Sequence, residues 1–399
     1  MSSLETKFLN ITFPNPFILA AGPPTAKAAL VIEAFKAGWG GAVLKTISLE
    51  PTPLPKPRLH VIKSGKDKRG MLDIELFSNL PINRWEDEID MIRASYPDHP
   101  LIASVAGGGQ PYDWQEVIRR LEPHGVNAFE MNVSCPSFAG EKGEKLGQNP
   151  EALKKAVSWV REATKLPVIV KLTPNVTNIN SFARIAMDAG ADAFTISNSL
   201  LGLGGIDLDT FSPLPNLDGF GIFGGYGGPA IKPVSLRCTA SVAKALPLPI
   251  LGCGGISNWR DAAEYLAAGA SAVEICTAVM WDGINIIAGL TKGLERYINE
   301  KGFSAAADIT GKALPNIVTF PDLDLSIDLV AAIDKNLCNG CGICIKACAS
   351  GAYQAITLVE NKAWAELLEC DGCGLCVGVC PLNAVQLVQR GHKELIPFI

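Results

Sequence analysis

The chain has no apolar run near the roughly eighteen residues of a membrane span, so no transmembrane anchor is expected. Its start, Met1-Ser2-Ser3-Leu4-Glu5, lacks the charged-then-apolar build of a secretory signal, and a reducing cytoplasm is the simplest home. Neither sign of charge dominates. With 35 Lys and Arg against 40 Asp and Glu the formal net charge is −5, which gives no reason to expect nucleic acid or an anionic membrane surface as partner. No GxGxxG follows a strand-like run; Gly224-Gly225-Tyr226-Gly227-Gly228 reads as part of a long loop, so no dinucleotide site is expected on this pattern. Structural zinc would want paired Cys-x2-Cys knuckles rather than runs of four cysteines, and nothing suggests export into a disulfide-forming compartment.

What it has instead is a cysteine ladder. Of 12 cysteines, eight fall in two runs of identical spacing: Cys338, Cys341, Cys344, Cys348 and Cys370, Cys373, Cys376, Cys380. This spacing wraps two [4Fe–4S] clusters, the fourth cysteine of each run reaching the other cluster. One cluster is therefore expected on Cys338, Cys341, Cys344 and Cys380, and the other on Cys370, Cys373, Cys376 and Cys348. Pro381 follows the second run, but Ala349 replaces proline after the first. Two such clusters carry single electrons and do no organic chemistry, so the rest of the chain should hold a group that trades electrons with them.

The length of 399 residues suggests two or three domains, and 48% hydrophobic residues supply ample core. Up to about Gly302, short apolar runs alternate with amphipathic patterns, the signature of parallel strands with crossover helices. Eight strands are countable: 17–21, 42–45, 102–105, 128–132, 168–171, 193–197, 249–252 and 272–275. One helix is expected after the cap Asn149, with Pro150 in its first turn, Leu153, Ala156, Val157 and Val160 on one face, and Leu166-Pro167 as its stop. A weak repeat, Gly-x-x-Ala followed by a strand, begins at Gly125, Gly190 and Gly269, with a looser copy at Gly38; each glycine should cap a helix in the left-handed conformation. Eight such units fit an α/β fold of the (β/α)8 barrel type better than a doubly wound sheet. The expected organisation is a barrel over 1–310, a linker over 311–328, and a small α+β ferredoxin-like domain with two [4Fe–4S] clusters over 329–399.

Barrel chemistry sits at the C-terminal strand ends. Polar residues gather there: Ala21-Gly22, Lys45-Thr46, Asn132 to Cys135, Lys171 to Asn175, Ser197-Asn198-Ser199, Gly254-Gly255 and Cys276-Thr277. Lys45 and Lys171 close apolar strands and need counter-charge, either from an anionic or electron-rich guest or from a buried carboxylate such as Glu130 or Glu274. Gly254-Gly255 offers bare backbone where barrels bind phosphate. Cys135 is either a packed thiol or a catalytic one. Its place at a strand end, before the Gly-rich, charged stretch 137–147 that reads as a lid, favours proton transfer at carbon. Cys253 and Cys276 fall near the glycine end, and Cys238 reads as packing.

On these residues the barrel resembles the FMN-binding barrel shared by dihydroorotate and dihydropyrimidine dehydrogenases. The resemblance rests on Asn132-x-Ser134-Cys135-Pro136, Lys171-Leu172-Thr173-Pro174-Asn175, Asn198-Ser199 and Gly254-Gly255. With the ladder attached, nearly the whole chain is similar to the FMN- and iron–sulfur-bearing subunits of NAD-dependent dihydropyrimidine dehydrogenases. The resemblance implies FMN held by Ala21, Gly22, Lys45, Thr46, Asn132, Lys171, Ser197, Gly228, Gly254, Gly255, Cys276 and Thr277. It implies a pyrimidine read by Asn132, Asn198, Ser199, Asp73 and Glu75, with Cys135 exchanging a proton at C5 while FMN exchanges hydride at C6. It further implies a partner subunit carrying FAD and NAD, two copies of each chain in the assembly.

Two departures stand out. The family's Asn-x-Glu before the third strand is Asp73-Ile74-Glu75 here. An ionised aspartate cannot donate a hydrogen bond, which allows a substrate analogue with an extra donor. Asn198 is followed by Ser199 rather than the family's threonine, and a hydroxyl survives. The alternatives are a dihydroorotate dehydrogenase, a related reductase of another cyclic unsaturated substrate, and a non-catalytic electron carrier with a vestigial barrel.

Overall fold

The computed structural model describes residues 3–134, 146–351 and 353–390. It divides into two units, Met1–Asn316 and Ile317–Ile399.

In the first unit eight strands form a closed barrel: Phe17–Leu19, Gly41–Val43, Leu101–Val105, Ala128–Asn132, Val168–Leu172, Ala193–Ile196, Ile250–Cys253 and Ala272–Ile275. All neighbours are parallel, and each strand pairs with the next in sequence until the eighth meets the first. These are the eight strands expected, with ends shifted by a residue or two. A helix follows each, as in Ala28–Ala37 after the first and Pro150–Ala163 after the fourth. Asn149 caps the latter, its side chain accepting from Ala152 N at 3.0 Å, and Leu153, Ala156, Val157 and Val160 are its buried face. The helix stops at Ala163, three residues before Leu166, because Thr164 is already extended. The four repeat glycines all take positive φ, from 88° at Gly125 to 109° at Gly190, where a side chain would be strained.

The strands sort their side chains by parity. Phe17, Leu19, Phe129, Met131, Val168, Val170 and Phe194 join the large core shared with the helices. The alternate residues Ile18, Val43, Ile102, Ala128, Ile169, Ala193, Leu251 and Ala272, one from each strand, form a second apolar cluster inside the barrel. Phe8, Ile11 and Phe13, from an antiparallel hairpin of Thr6–Phe8 and Ile11–Phe13, pack onto that cluster and plug this end. Two residues further along, six of the eight strands turn the interior polar: Lys45, Ser104, Glu130, Lys171, Thr195 and Glu274 are all buried, while the first and seventh place Ala20 and Cys253 there.

At the opposite end a four-stranded antiparallel sheet joins Leu59–Ser64, Asp67–Asp73, Leu200–Gly202 and Gly224–Gly227. The glycine-rich stretch expected to be loop is thus partly a strand. Gly225 pairs with Asp73, and a Cβ at Gly225 would lie 2.4 Å from Ser199 Oγ, so glycine is what admits the close approach.

The second unit is built twice over. Leu329–Ile333 pairs with Val385–Gln389, and Ile356–Val359 with Lys362–Ala365. Helices Ile343–Ser350 and Leu375–Val379 each follow a Cys-x-Gly-Cys-Gly turn. The described residues contain no helix long and apolar enough to cross a membrane.

Packing between outer helices leaves little slack. A Cβ on Gly293, in the helix Ile287–Glu300, would lie 2.1 Å from Trp259 Cδ1. Gly293→Ala is expected to destabilise the barrel by about 1–3 kcal/mol despite alanine's better helix propensity. Thermal unfolding checks this, and an unchanged midpoint would contradict it.

Candidate functional site

Two adjoining cavities open at the C-terminal strand ends and share Ala21, Gly22, Asp73, Asn198, Ser199 and Gly225 as walls. The first is also lined by Lys45, Thr46, Glu75, Asn132, Ser134 and Asn175, with Ile222 and Phe223 from the segment before the Gly224–Gly227 strand. The second is also lined by Lys171, Ser197, Gly228, Gly254, Gly255, Cys276 and Thr277. Every expected flavin or pyrimidine residue therefore lines one cavity or the other. The exception among the expected site residues is Cys135, which lies outside the described residues, as does 136–145 of the expected lid.

A chain of hydrogen bonds orients the polar wall of the first cavity. Ser104 Oγ lies 3.0 Å from Thr46 Oγ1, which accepts from Asn132 Nδ2 at 3.0 Å. Asn132 Oδ1 accepts from Asn198 Nδ2 at 3.2 Å, and Asn198 Oδ1 accepts from Ser199 N at 2.8 Å. Asn175, which the sequence places at a strand end without a role, donates to Ser199 O at 3.0 Å and accepts from Leu201 N at 2.8 Å. It holds the backbone that presents Ser199.

The two lysines are paired with carboxylates of the protein. Lys45 Nζ is ion-paired to Glu75 Oε1, and Arg58 Nε holds Glu75 Oε2 at 2.5 Å. Lys171 Nζ lies 2.7 Å from Glu274 Oε2 and 3.4 Å from Glu130 Oε1. Burial pulls the Lys171 pKa down, but Glu130 and Glu274 more than reverse it and leave it well above the usual value. The carboxylate alternative raised for Lys171 is what the fold contains, and Glu75 fills that part for Lys45. Glu75 followed from nothing local, because it reaches Lys45 through the added sheet. Asp73 differs. Its Oδ1 accepts from Glu75 N at 2.7 Å, and burial pushes its carboxyl up to about 6.

The second cavity fits a flavin mononucleotide by its two unlike ends. At one end stands Lys171, an ammonium fixed among carboxylates and able to meet the electron-rich edge of a ring. At the other, Gly228, Gly254 and Gly255 take φ of 96°, 125° and 75° and present bare backbone. A Cβ at Gly255 would sit 2.9 Å from Gly228 O, so the approach of these loops requires glycine. Cys276 and Cys253 also face this cavity. Burial pushes the Cys276 thiol up to about 12 and that of Cys253 higher still, so both stay neutral.

In the second unit the thiols gather as two crossed sets. Cys338, Cys341, Cys344 and Cys380 line one cavity; Cys348, Cys370, Cys373 and Cys376 line the other. Backbone N–H groups point at four of the sulfurs: Ala363 at Cys338, Ala355 at Cys348, Ala331 at Cys370 and Ala384 at Cys380, at 3.3–3.4 Å. Such donors favour the thiolate, and the N–H of Ala363 holds the Cys338 thiol below its usual range. Asn339 Oδ1 accepts from Cys341 N and Asp371 Oδ1 from Cys373 N, both at 3.2 Å, so the two turns are built alike. This donor set and symmetry fit two cubane clusters.

A closed eight-stranded barrel with this mouth, followed in the sequence by a dicluster unit, defines the class as a flavin- and iron–sulfur-dependent oxidoreductase. The chain matches the dihydroorotate dehydrogenase family over residues 3–298 and a 4Fe-4S dicluster domain over residues 331–387. It belongs to the dihydroorotate dehydrogenase family, whose cofactor is FMN, and carries a domain for two [4Fe–4S] clusters. It is 32% identical over 363 residues to the NAD-dependent dihydropyrimidine dehydrogenase subunit PreA of Escherichia coli, covering 90% of this chain and 88% of that protein. It is 32% identical over 329 residues to the chloroplastic dihydropyrimidine dehydrogenase (NADP(+)) of Arabidopsis thaliana, covering 78% and 77%. It is also 37% identical over 310 residues to the catalytic subunit of dihydroorotate dehydrogenase B (NAD(+)) of Methanothermobacter thermautotrophicus, covering 78% of this chain and 98% of that one.

The crossed cysteine sets make a direct prediction. Cys373→Ala removes a thiol from one set only, so iron should fall from about eight to about four atoms per chain. Iron analysis of the purified protein checks this, and a full iron complement in the variant would contradict it.

Proposed function

We propose that the protein interconverts a pyrimidine base, uracil, thymine or an analogue, and its 5,6-dihydro form. The observation that carries this is the charge of the first cavity. Its charged lining among the described residues is Lys45, Asp73 and Glu75. Lys45 and Arg58 both hold Glu75, and with ionised Asp73 the two cations and two carboxylates sum to zero. A substrate carboxylate, such as dihydroorotate bears, would meet Asp73 with no unpaired cation among the described lining residues. A neutral ring with alternating C=O and N–H groups is better served. Asn132 and Asn198 each offer an amide that both donates and accepts, and Ser199 adds a hydroxyl. Relatives named as dihydroorotate dehydrogenases are 36–37% identical over the barrel, which keeps that reaction as the second reading.

Bound FMN supplies hydride exchange at carbon, and the clusters supply one-electron exchange. The protein's own part is to hold the ring flat against one cavity while closing the other around the cofactor. Reducing a C5=C6 bond also needs a proton at the second carbon. Cys135 is the residue we assign to it: it follows Ser134, which lines the first cavity, and a thiol with an ordinary pKa near 8.5 carries a proton at neutral pH. Cys338, Cys341, Cys344 and Cys380 hold one cluster in this reading, and Cys370, Cys373, Cys376 and Cys348 the other. The relatives' names include subunits of NAD-dependent enzymes, so the electron partner we propose is a separate FAD- and NAD-binding chain.

Anaerobic assay of dihydrouracil, dihydrothymine and dihydroorotate with an artificial electron acceptor tests the reading. Turnover of the first two is expected, and turnover of dihydroorotate alone would overturn it. Cys135→Ala should keep flavin and iron yet lose about two to four orders of magnitude in turnover at neutral pH. Native turnover in that variant would remove Cys135 from the mechanism.

Asp73 adds a pH signature. Above about pH 6 its carboxyl is ionised and only accepts hydrogen bonds; below, it can also donate to a carbonyl. KM for a ring that presents a carbonyl there should fall as pH drops through about 6. In Asp73→Asn, which donates at every pH, that dependence should vanish and uracil should be preferred. A KM profile identical in both proteins would dismiss the assignment.

A further inference from the structure

Four barrel strands each send one polar side chain to the same interior level: Glu130, Lys171, Thr195 and Glu274, at most 5% exposed. Thr195 Oγ1 lies 2.7 Å from Glu130 Oε2 and 3.1 Å from Glu274 Oε1. A hydroxyl owns one hydrogen, and an ionised carboxylate only accepts. Between two ionised carboxylates, one of these contacts would be oxygen against oxygen with no hydrogen between. The charge count fails as well, because two carboxylates and one ammonium leave a net negative charge in a dry interior. One proton on one glutamate removes both faults. The protonated carboxyl donates to Thr195 Oγ1, and Thr195 donates to the other glutamate. Glu274 lies closer to Lys171 Nζ, at 2.7 Å against 3.4 Å, so Glu274 is the ionised member and Glu130 the protonated one.

We propose that the Glu130–Glu274 pair stores one exchangeable proton, and that this proton sets the charge which the Lys171 cluster presents to the flavin cavity. With the proton the cluster is neutral; without it the cluster carries one negative charge. Lys171 and Glu274 both line that cavity, so the change falls where a flavin ring sits. Glu130 is a positioning residue, acting through Lys171. Burial and the neighbouring Glu274 push the Glu130 carboxyl up to about 8. The other titratable groups facing the cluster do not compete. Cys253, from the seventh strand, and Cys276, just beyond the eighth, are held neutral by burial. Lys45, beyond the second strand, is committed to Glu75, and Asp73, across the mouth, titrates lower at about 6.

The inference rests on FMN occupying the second cavity but not on the identity of the pyrimidine, and its test uses no substrate. Infrared difference spectra of the holoprotein should show a protonated-carboxyl C=O stretch at neutral pH that disappears as pH rises through about 8. Glu130→Gln should lack it. The midpoint potential of the bound flavin should fall more steeply above that pH in the native protein than in Glu130→Gln, since an anionic cluster opposes electron uptake. Absence of the native infrared band at neutral pH overturns the proposal without requiring any variant. So do potential-against-pH curves that run parallel in the two proteins. Pyrimidine turnover failing elsewhere would alter neither measurement.

Discussion

The alternation of side chains along a strand governs this molecule. Eight strands enter the barrel in one phase, so one parity faces the helices and the other faces inward. The outward set is apolar throughout. The inward set is apolar at its first level and polar at its second. A one-residue slip in any strand would exchange these sets and bury a charge against the helices, which strongly specifies the register. The same alternation builds floor and site together: the hairpin with Phe8, Ile11 and Phe13 can plug only an apolar level, and the mouth can hold a polar guest only above a polar one.

Each buried cation inside that frame is paired with a carboxylate of the protein. Lys45 and Arg58 share Glu75, and Lys171 shares two carboxylates that a hydroxyl bridges. The lysines therefore present fixed donors rather than free positive charge to whatever occupies the cavities. That distinction separates a site suited to a neutral ring from one suited to an anion. The second unit solves its own problem by duplication. Two turns of the same sequence form, with Gly340 and Gly372 at φ near 70°, present thiols to two cavities, and each run lends its last cysteine to the other.

Much of this was legible in the residues. The eight strands announce themselves because each is a short apolar run preceded by a capping glycine or flanked by proline. The crossed cysteine sets follow from spacing alone, since a turn with two residues between thiols reaches only three corners of a cube. Glu130 and Glu274 were visible as counter-charges for Lys171 because each is a carboxylate set in an apolar strand; that Glu274, three strands away around the barrel, meets Lys171 inside it was not. What was hidden was non-local. The added sheet brings 59–73 against 200–227, segments more than a hundred residues apart, and its Gly224–Gly227 strand has too little side chain to show a strand pattern. Glu75 was assigned to substrate for that reason, as its tie to Lys45 exists only once the sheet forms. The hairpin plug is three residues a side, too short for a periodic signal.

The most direct measurement is a crystal structure of the holoprotein with a pyrimidine bound. The account predicts the flavin ring along the cavity lined by Lys171 and Ser197, its phosphate among Gly254, Gly255 and Thr277, and the pyrimidine against Asn132, Asn198 and Ser199. A flavin bound outside that cavity, or a pyrimidine seated away from those three residues, would contradict it.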